Sequence, residues 1–347
     1  MRDEELIGLC RELIRRPSVS GEERAVAEFL RDTMASLGYP QVEIDRHGSV
    51  LGWIPGCRPG KTVLMDGHID TVPVEDPGLW THDPFAGEVE GERLYGRGAS
   101  DMKGGVAAMV LAAARFAKDS GGDFAGTICV SCSVQEERFE GVACREIARL
   151  ARPDYVIIGE ATSTTLKIGQ RGRAEVTVET RGRSCHSSNP EKGINAVYHM
   201  AELIGELRRL PPPEHPLLGQ GILELTDIIS APYPGASVVP GLCRATFDRR
   251  LLPGETAESV LGPIRAAIAR VKERVPELEA AAELTRGSSG CWTGDTLEAE
   301  RFFPAWVLPE DHQLVCAALA GLRAAGIDAP LSHYAFCTNA SSFCGEL

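Results

Sequence analysis

Apolar positions recur at helical spacing from the start of the chain, where Leu6, Leu9, Cys10, Leu13 and Ile14 line one face of a predicted helix. Ser20-Gly-Glu-Glu23 has the arrangement of a capping box. It predicts a second helix that buries Ala25, Phe29, Leu30, Met34 and Leu37 and stops at Gly38. Short apolar runs then alternate with helical stretches. Thr62 to Met65 reads as a buried strand, and Lys103 to Ala117 as a helix rich in Ala, Val, Met and Leu. Thr127 to Val134 and Asp154 to Ile158 read as two further strands. This alternation predicts an α/β fold, with a mixed, mostly parallel sheet flanked by helices.

Near residue 171 the period changes. Glu175-Val-Thr-Val-Glu179 alternates as a half-exposed strand should. A helix from Gly193 to Leu210 is ended by Pro211-Pro-Pro213. Strand-like stretches follow at Gly221 to Thr226 and Arg244 to Leu251, then a helix from Thr256 to Val275. Residues 171–285 are therefore expected to form an inserted α+β domain. Residues 1–170 and 286–347 form the other domain, which includes a late helix from Asp311 to Ala325.

A chain of 347 residues exceeds what one core usually serves, which agrees with two domains. The net charge of −13 argues against nucleic acid or an anionic membrane surface as partner. No apolar run approaches membrane-spanning length, and the acidic start Met1-Arg-Asp-Glu-Glu5 does not read as a signal peptide. The eleven cysteines are scattered, and Cys129, Cys132 and Cys316 fall in apolar runs, where a thiol acts as a small buried hydrophobe. Cys129 and Cys132 have redox spacing, but residues three apart on a strand face opposite sides. A reduced, cytoplasmic protein is the expectation.

The candidate chemistry lies in four stretches: His68-Ile-Asp70, Asp101 within Gly96 to Gly105, Glu136-Glu137, and Glu160. His68, Glu136, Glu137 and Glu160 each follow a predicted strand, and ligands of open α/β sheets collect at strand carboxyl ends. One imidazole with several carboxylates suits divalent cations, and carboxylates commonly bridge two of them. On an extended segment His68 and Asp70 point the same way, so Asp70 is placed to accept the second ring N–H of His68. Gly96-Arg-Gly98 begins like a dinucleotide loop, but Asp101 stands where a pyrophosphate would approach and repels it. At the N-terminus of a helix Asp101 stays ionised, suited to bridge cations. Adjacent acids at a strand end face opposite ways, leaving one of Glu136 and Glu137 for metal and the other for protons.

In this order and on these elements, the four stretches resemble the zinc aminoacylase and peptidase family of M20 type. That family includes acetylornithine deacetylase, succinyl-diaminopimelate desuccinylase and bacterial carboxypeptidase G. Gln170-Arg-Gly-Arg173, Ser184-Cys-His-Ser-Ser188, Cys291-Trp-Thr-Gly294, Phe302-Phe-Pro-Ala-Trp306 and Cys337-Thr-Asn339 look closest to its hydrolases linked to selenium metabolism. The resemblance implies that His68, Asp101 and Glu160 hold one metal, and that Asp101 bridges to a second held also by Glu137. Glu136 is then the general base toward the water between them, and Asp70 orients His68. The implied cofactor is Zn2+, two per subunit, with Co2+ or Mn2+ also accepted by such ligands.

The insert resembles the family's lid and dimerisation domain, which implies a homodimer. His186 matches a lid histidine that reaches the partner subunit's site and steadies an oxyanion. Arg250, in Asp248-Arg-Arg-Leu-Leu-Pro-Gly-Glu255, matches a position that binds the substrate carboxylate. The implied reaction is hydrolysis of an amide bond in a small N-acyl amino acid or dipeptide-like substrate. Two departures stand out. Ser237-Val-Val-Pro240 carries Ser where many relatives carry Asn, and the chain stops at Ser341-Ser-Phe-Cys-Gly-Glu-Leu347. In relatives a Gly-Ile-Pro strand and an Ala-His pair would follow, the histidine completing the second metal site. The expectation is thus a C-terminal truncation. It carries an alternative, a catalytically impaired relative that binds one metal or ligand without turnover. His312, read as a helix-start residue, and His333, read as a strand or loop residue, do not replace the missing ligand.

Overall fold

The computed structural model describes residues 3–343. A five-stranded mixed sheet has the order Gln41–Ile44, Val50–Pro55, Ala125–Ser133, Arg58–His68, Tyr155–Ile158. The first two pairings are antiparallel, and Arg58–His68 runs parallel to both of its neighbours. Register sets His68 beside Ser133, and Asp66 beside both Ser131 and Ile158. Three strand carboxyl ends therefore lie side by side, and the chain leaves each of them at the same edge.

Alternate residues feed opposite faces of this sheet. Val50, Val130 and Cys132 join the helices Asp3–Ile14, Arg24–Ser36 and Gly104–Ser120 in one apolar cluster. Leu51, Leu64 and Cys129 join the helix Cys144–Ala151 in another. Gly67 has no side chain because a Cβ there would press into Met102 and Met109 beneath the first helix layer. Each fully buried Leu, Ile or Val in these layers contributes about 1.5–3 kcal/mol.

A second, antiparallel sheet has the order Ile222–Ala231, Leu242–Leu251, Gly172–Arg181, Glu279–Leu284. Gly172–Arg181 alternates buried and half-buried positions along nearly its whole length, placing Ala174, Val176 and Val178 in a separate core. The helices Ala196–Leu207 and Ala257–Arg274 cover that core with Met200, Leu203, Ile264 and Val271. Thr256 and Ser259 form a reciprocal capping box at the start of the second of these helices. After residue 285 a hairpin, Arg286–Gly290 with Thr296–Glu300, returns Cys291 and Leu297 to the first core. Among the described residues no helix is long and apolar enough to cross a membrane.

Several local expectations are corrected. The capping box at Ser20 is not made: Ser20 bonds Asp70, and the helix N-cap Glu23 turns its carboxylate to the Gly21 N–H. Tertiary demand for the Ser20 hydroxyl overrides the local cap. Ala25 is exposed, since the buried stripe runs through Val26, Ala27, Leu30 and Met34. Cys316 is also exposed, because Gln313–Ala324 buries only Val315. His312 caps that helix and His333 lies in the strand Leu331–Tyr334, as read. The terminal stretch beyond Phe343 lies outside the described residues.

Candidate metal centre

His68 ends its strand and is 1% exposed. Its Nδ1–H donates to the backbone carbonyl of Asp70 at 2.9 Å, which turns Nε2 toward the crevice. Nε2 then lies 2.9 Å from Asp101 Oδ1, 3.5 Å from Glu160 Oε1 and 3.9 Å from Glu136 Oε2. Three carboxylates from three separate segments thus surround one ring nitrogen. Two groups have ligand atoms that all lie within 4.8 Å of one another: His68 with Glu136 and Glu160, and His68 with Asp101 and Glu137. The first group holds Glu136 where the resemblance implies Asp101, which falls with Glu137 in the second and stays closest to His68.

Asp70 holds the His68 ring by a different atom from the one expected. Its carboxylate stands 3.6 Å from His68 Nδ1, so the carbonyl and not the carboxylate takes the ring proton. The carboxylate instead accepts from Ser20 Oγ at 2.6 Å and from the backbone N–H groups of Glu136 and Glu137 at 3.0 and 3.1 Å. It is the anchor of the acidic pair. That pair is not on a strand end either. The strand stops at Ser133, and Glu136–Phe139 form a one-turn helix entered through Gln135 at φ 64°. The turn is what lets neighbouring acids diverge. Asp101 sits in an irregular turn spanning Ala99–Lys103, and its lowered pKa comes first from the hydrogen bond with His68.

Electrostatics at the cluster is set by burial. Burial pushes the Glu136 carboxyl well above its usual range, against the nearby His68, and pushes Glu160 up to about 7. Glu137 is raised by the same cause. Burial alone would depress the His68 imidazole, but Asp101, Asp70 and Glu136 outweigh it and hold the pKa well above the usual range. Burial would likewise raise Asp70, yet His68, Ser20 and the Glu136 N–H outweigh it and keep the carboxylate ionised.

Carboxylates gathered this way repel one another unless protons or a cation lie among them. The donor set fits a divalent cation. Ligands about 2 Å from a common ion sit roughly 3.3 Å apart, and the Nε2 separations of 2.9–3.9 Å bracket that.

The two insert residues stand apart. His186, in a two-residue strand paired with Val238–Val239, is exposed, and its Nδ1 lies 2.7 Å from Ser188 Oγ. Arg250 is ion-paired with Asp248 at 2.8 Å, and Arg173 donates to the same carboxylate at 2.7 Å. Among the described residues no hydrogen bond or ion pair joins His186 or Arg250 to the His68 cluster.

Sequence reasoning missed the polar groups beneath the site. Asp66, fully buried two residues before His68, accepts from the Ser131 and Ser133 hydroxyls and from Asn339 Nδ2 at 3.0 Å. Lys103 is 1% exposed and donates to the carbonyls of Leu13 and Arg16, and burial lowers its pKa to about 8. For Asp66 the available signal was an ionisable residue closing the apolar run Val63-Leu-Met65.

Comparisons with known proteins show what the chain is similar to. The model of peptidase family M20/M25/M40 matches residues 64–344. The uncharacterised protein YgeY of Escherichia coli K12 is 36% identical over 341 residues, covering 97% of this chain and 82% of that relative. A succinyl-diaminopimelate desuccinylase of Cereibacter sphaeroides is 31% identical over 278 residues, covering 76% of this chain and 72% of the relative. Among solved structures, the M20 family metallo-carboxypeptidase Sso-CP2 of Sulfolobus solfataricus superposes with a TM-score of 0.75 at 17% identity. That match covers 99% of this chain and 89% of the other.

Proposed function

The chain belongs to peptidase family M20/M25/M40, and on that premise we propose that it hydrolyses an amide bond in a small N-acyl amino acid or dipeptide-like substrate. The observation that carries this reading is the convergence of Asp101, Glu160 and Glu136 on His68 Nε2. His68, Asp101 and Glu160 would hold one zinc ion, and Asp101 with Glu137 would contribute to a second. A bound divalent cation supplies Lewis acidity that polarises the scissile carbonyl and acidifies water. Glu136 takes a proton from the attacking water and passes it to the leaving amine. Asp70 fixes the backbone from which Glu136 and Glu137 project.

Residues 171–285 act in this reading as lid and dimerisation domain of a cytoplasmic homodimer. His186 of the partner subunit steadies the oxyanion, and Arg250 receives the substrate carboxylate, with Asp248 holding its guanidinium in place. The impaired-relative alternative is not favoured. The family match spans residues 64–344, and His68, Asp101, Glu136, Glu137 and Glu160 gather among the described residues.

The test compares the metal-loaded parent with Glu136→Gln on a panel of N-acyl amino acids and dipeptides. The parent should release free amine, and the variant should keep its metal while losing turnover by about 10²–10⁴-fold. A fully metallated variant with parental turnover would reject Glu136 as base. A parent inert on the whole panel would reject the substrate class.

A further inference from the structure

Gln135 directly precedes Glu136, is fully buried, and has φ 64°, in the left-handed region that residues with a Cβ rarely adopt. Glycine occupies that region without penalty, so a glutamine here calls for a reason in its side chain. Both ends of its amide are engaged by a hairpin more than 150 positions away. Ser289 Oγ donates to Oε1 at 2.8 Å, and Nε2 donates to the Gly290 carbonyl at 2.8 Å.

The same hairpin supports the turn at two more points. A Cβ at Gly287 would overlap the Phe139 ring, so the strand reaches the one-turn helix only as glycine. Arg301, just past the hairpin, donates to the Arg138 carbonyl at 3.0 Å and lies over the Phe139 ring. The hairpin itself is pinned at its tip. Trp292 Nε1 donates to the Gly48 carbonyl at 3.3 Å, and Thr293 Oγ1 to the Arg46 carbonyl at 2.6 Å. The motif Cys291-Trp-Thr-Gly294 thereby has a physical task that the proposed reaction did not give it.

We infer that Gln135, clamped by Ser289 and Gly290, is a positioning residue that sets the direction of the Glu136 carboxylate; this rests on Glu136 being the general base. A helix of four residues cannot hold its own orientation, since nucleating one turn is unfavourable in isolation. Asp70 fixes the N–H groups of Glu136 and Glu137, and the clamp fixes the residue before them. Between these two holds the turn has one arrangement.

Ser289→Ala removes one half of the clamp without touching a residue of the crevice. It should lower kcat between about ten- and a hundredfold, as small misplacements of reacting groups do. KM should stay within about twofold, because substrate binding is not the step affected. Zinc per chain, measured by elemental analysis, should equal that of the parent. Ser289→Thr keeps the hydroxyl and should recover most of the loss, and Gln135→Gly, which relaxes the backbone but lacks the amide, should reproduce it. Parental kcat in both Ser289→Ala and Gln135→Gly would overturn the inference. So would a zinc content that falls in step with kcat, or a Ser289→Thr variant as slow as Ser289→Ala. Glu136→Gln measured alongside separates the two readings. Retained turnover there refutes the base, whereas its loss beside parental Ser289→Ala and Gln135→Gly refutes only the clamp.

Discussion

Around His68, charge is buried and its partners come from far along the chain: Asp101 is 33 positions away, and Asp70 reaches 50 positions back to Ser20 and 66 forward to Glu136. In the sheet built on Gly172–Arg181, carboxylates are instead matched by arginines on their own or the neighbouring strand. Arg250 and Arg173 meet Asp248, and Arg244 meets Glu179 on the neighbouring strand. The second region follows the ordinary rules of a half-buried sheet, with Val176 and Val178 inward and Thr177 and Glu179 outward. The first breaks those rules by burying carboxylates against each other. Departures of that kind mark where a sequence gives up stability for chemistry.

Three measurements can break or sharpen this contrast. The largest effect concerns the second region's claim to any chemistry. His186→Ala should leave stability within about 0.5 kcal/mol, being an exposed residue. Its turnover should nevertheless fall by about 10²–10³-fold if it supplies an oxyanion donor. Steady-state kinetics beside thermal melting read both numbers, and parental turnover would leave this region as architecture alone.

The next measurement probes the strain of burial in the first region. Burial pushes the Glu23 carboxyl up to about 7, against the Gly21 N–H that donates to it. The folded protein therefore holds this proton more tightly than the unfolded chain, and raising the pH from about 4.5 to about 7 costs stability. Glu23→Gln escapes that cost. Relative to the parent it should gain as much as about 3 kcal/mol between acid and neutral pH in urea unfolding. A gap between the two proteins that does not change with pH would contradict the burial argument.

The smallest effect belongs to the surface of the second sheet. Arg244 and Glu179 pair at 3.0 Å, with Arg244 about half exposed. Glu179→Gln should shift the unfolding free energy by less than about 1 kcal/mol, and by less still at high salt. A larger shift would mean that this sheet also depends on its charges.

Much of the fold was legible because element type is a local property. The stripes in Asp3–Ile14 and Ala257–Arg274 and the alternation in Gly172–Arg181 are written within single segments. The residue types of the site were legible too, since imidazole and carboxylates at strand ends suit few tasks besides holding a cation. Where local reasoning failed, a distant partner had claimed the group. Ser20 left its helix cap for Asp70, and the Asp70 carboxylate turned from His68 to the N–H groups of the acidic turn.

By itself, then, the sequence determined the periods of its strands and helices, the separate character of the two halves, and the set of candidate ligating side chains. The tertiary structure alone decided how they meet. Parallel pairing of Arg58–His68 with both neighbours brings three strand ends to one edge. Only there do Asp101, Glu136 and Glu160 close on a single ring nitrogen. The clamp on Gln135 from residues 289 and 290 exists only once the hairpin has folded back. Hydrophobic period acts between residues a few positions apart, whereas hydrogen bonds and buried charge depend on which segments the folded chain sets side by side.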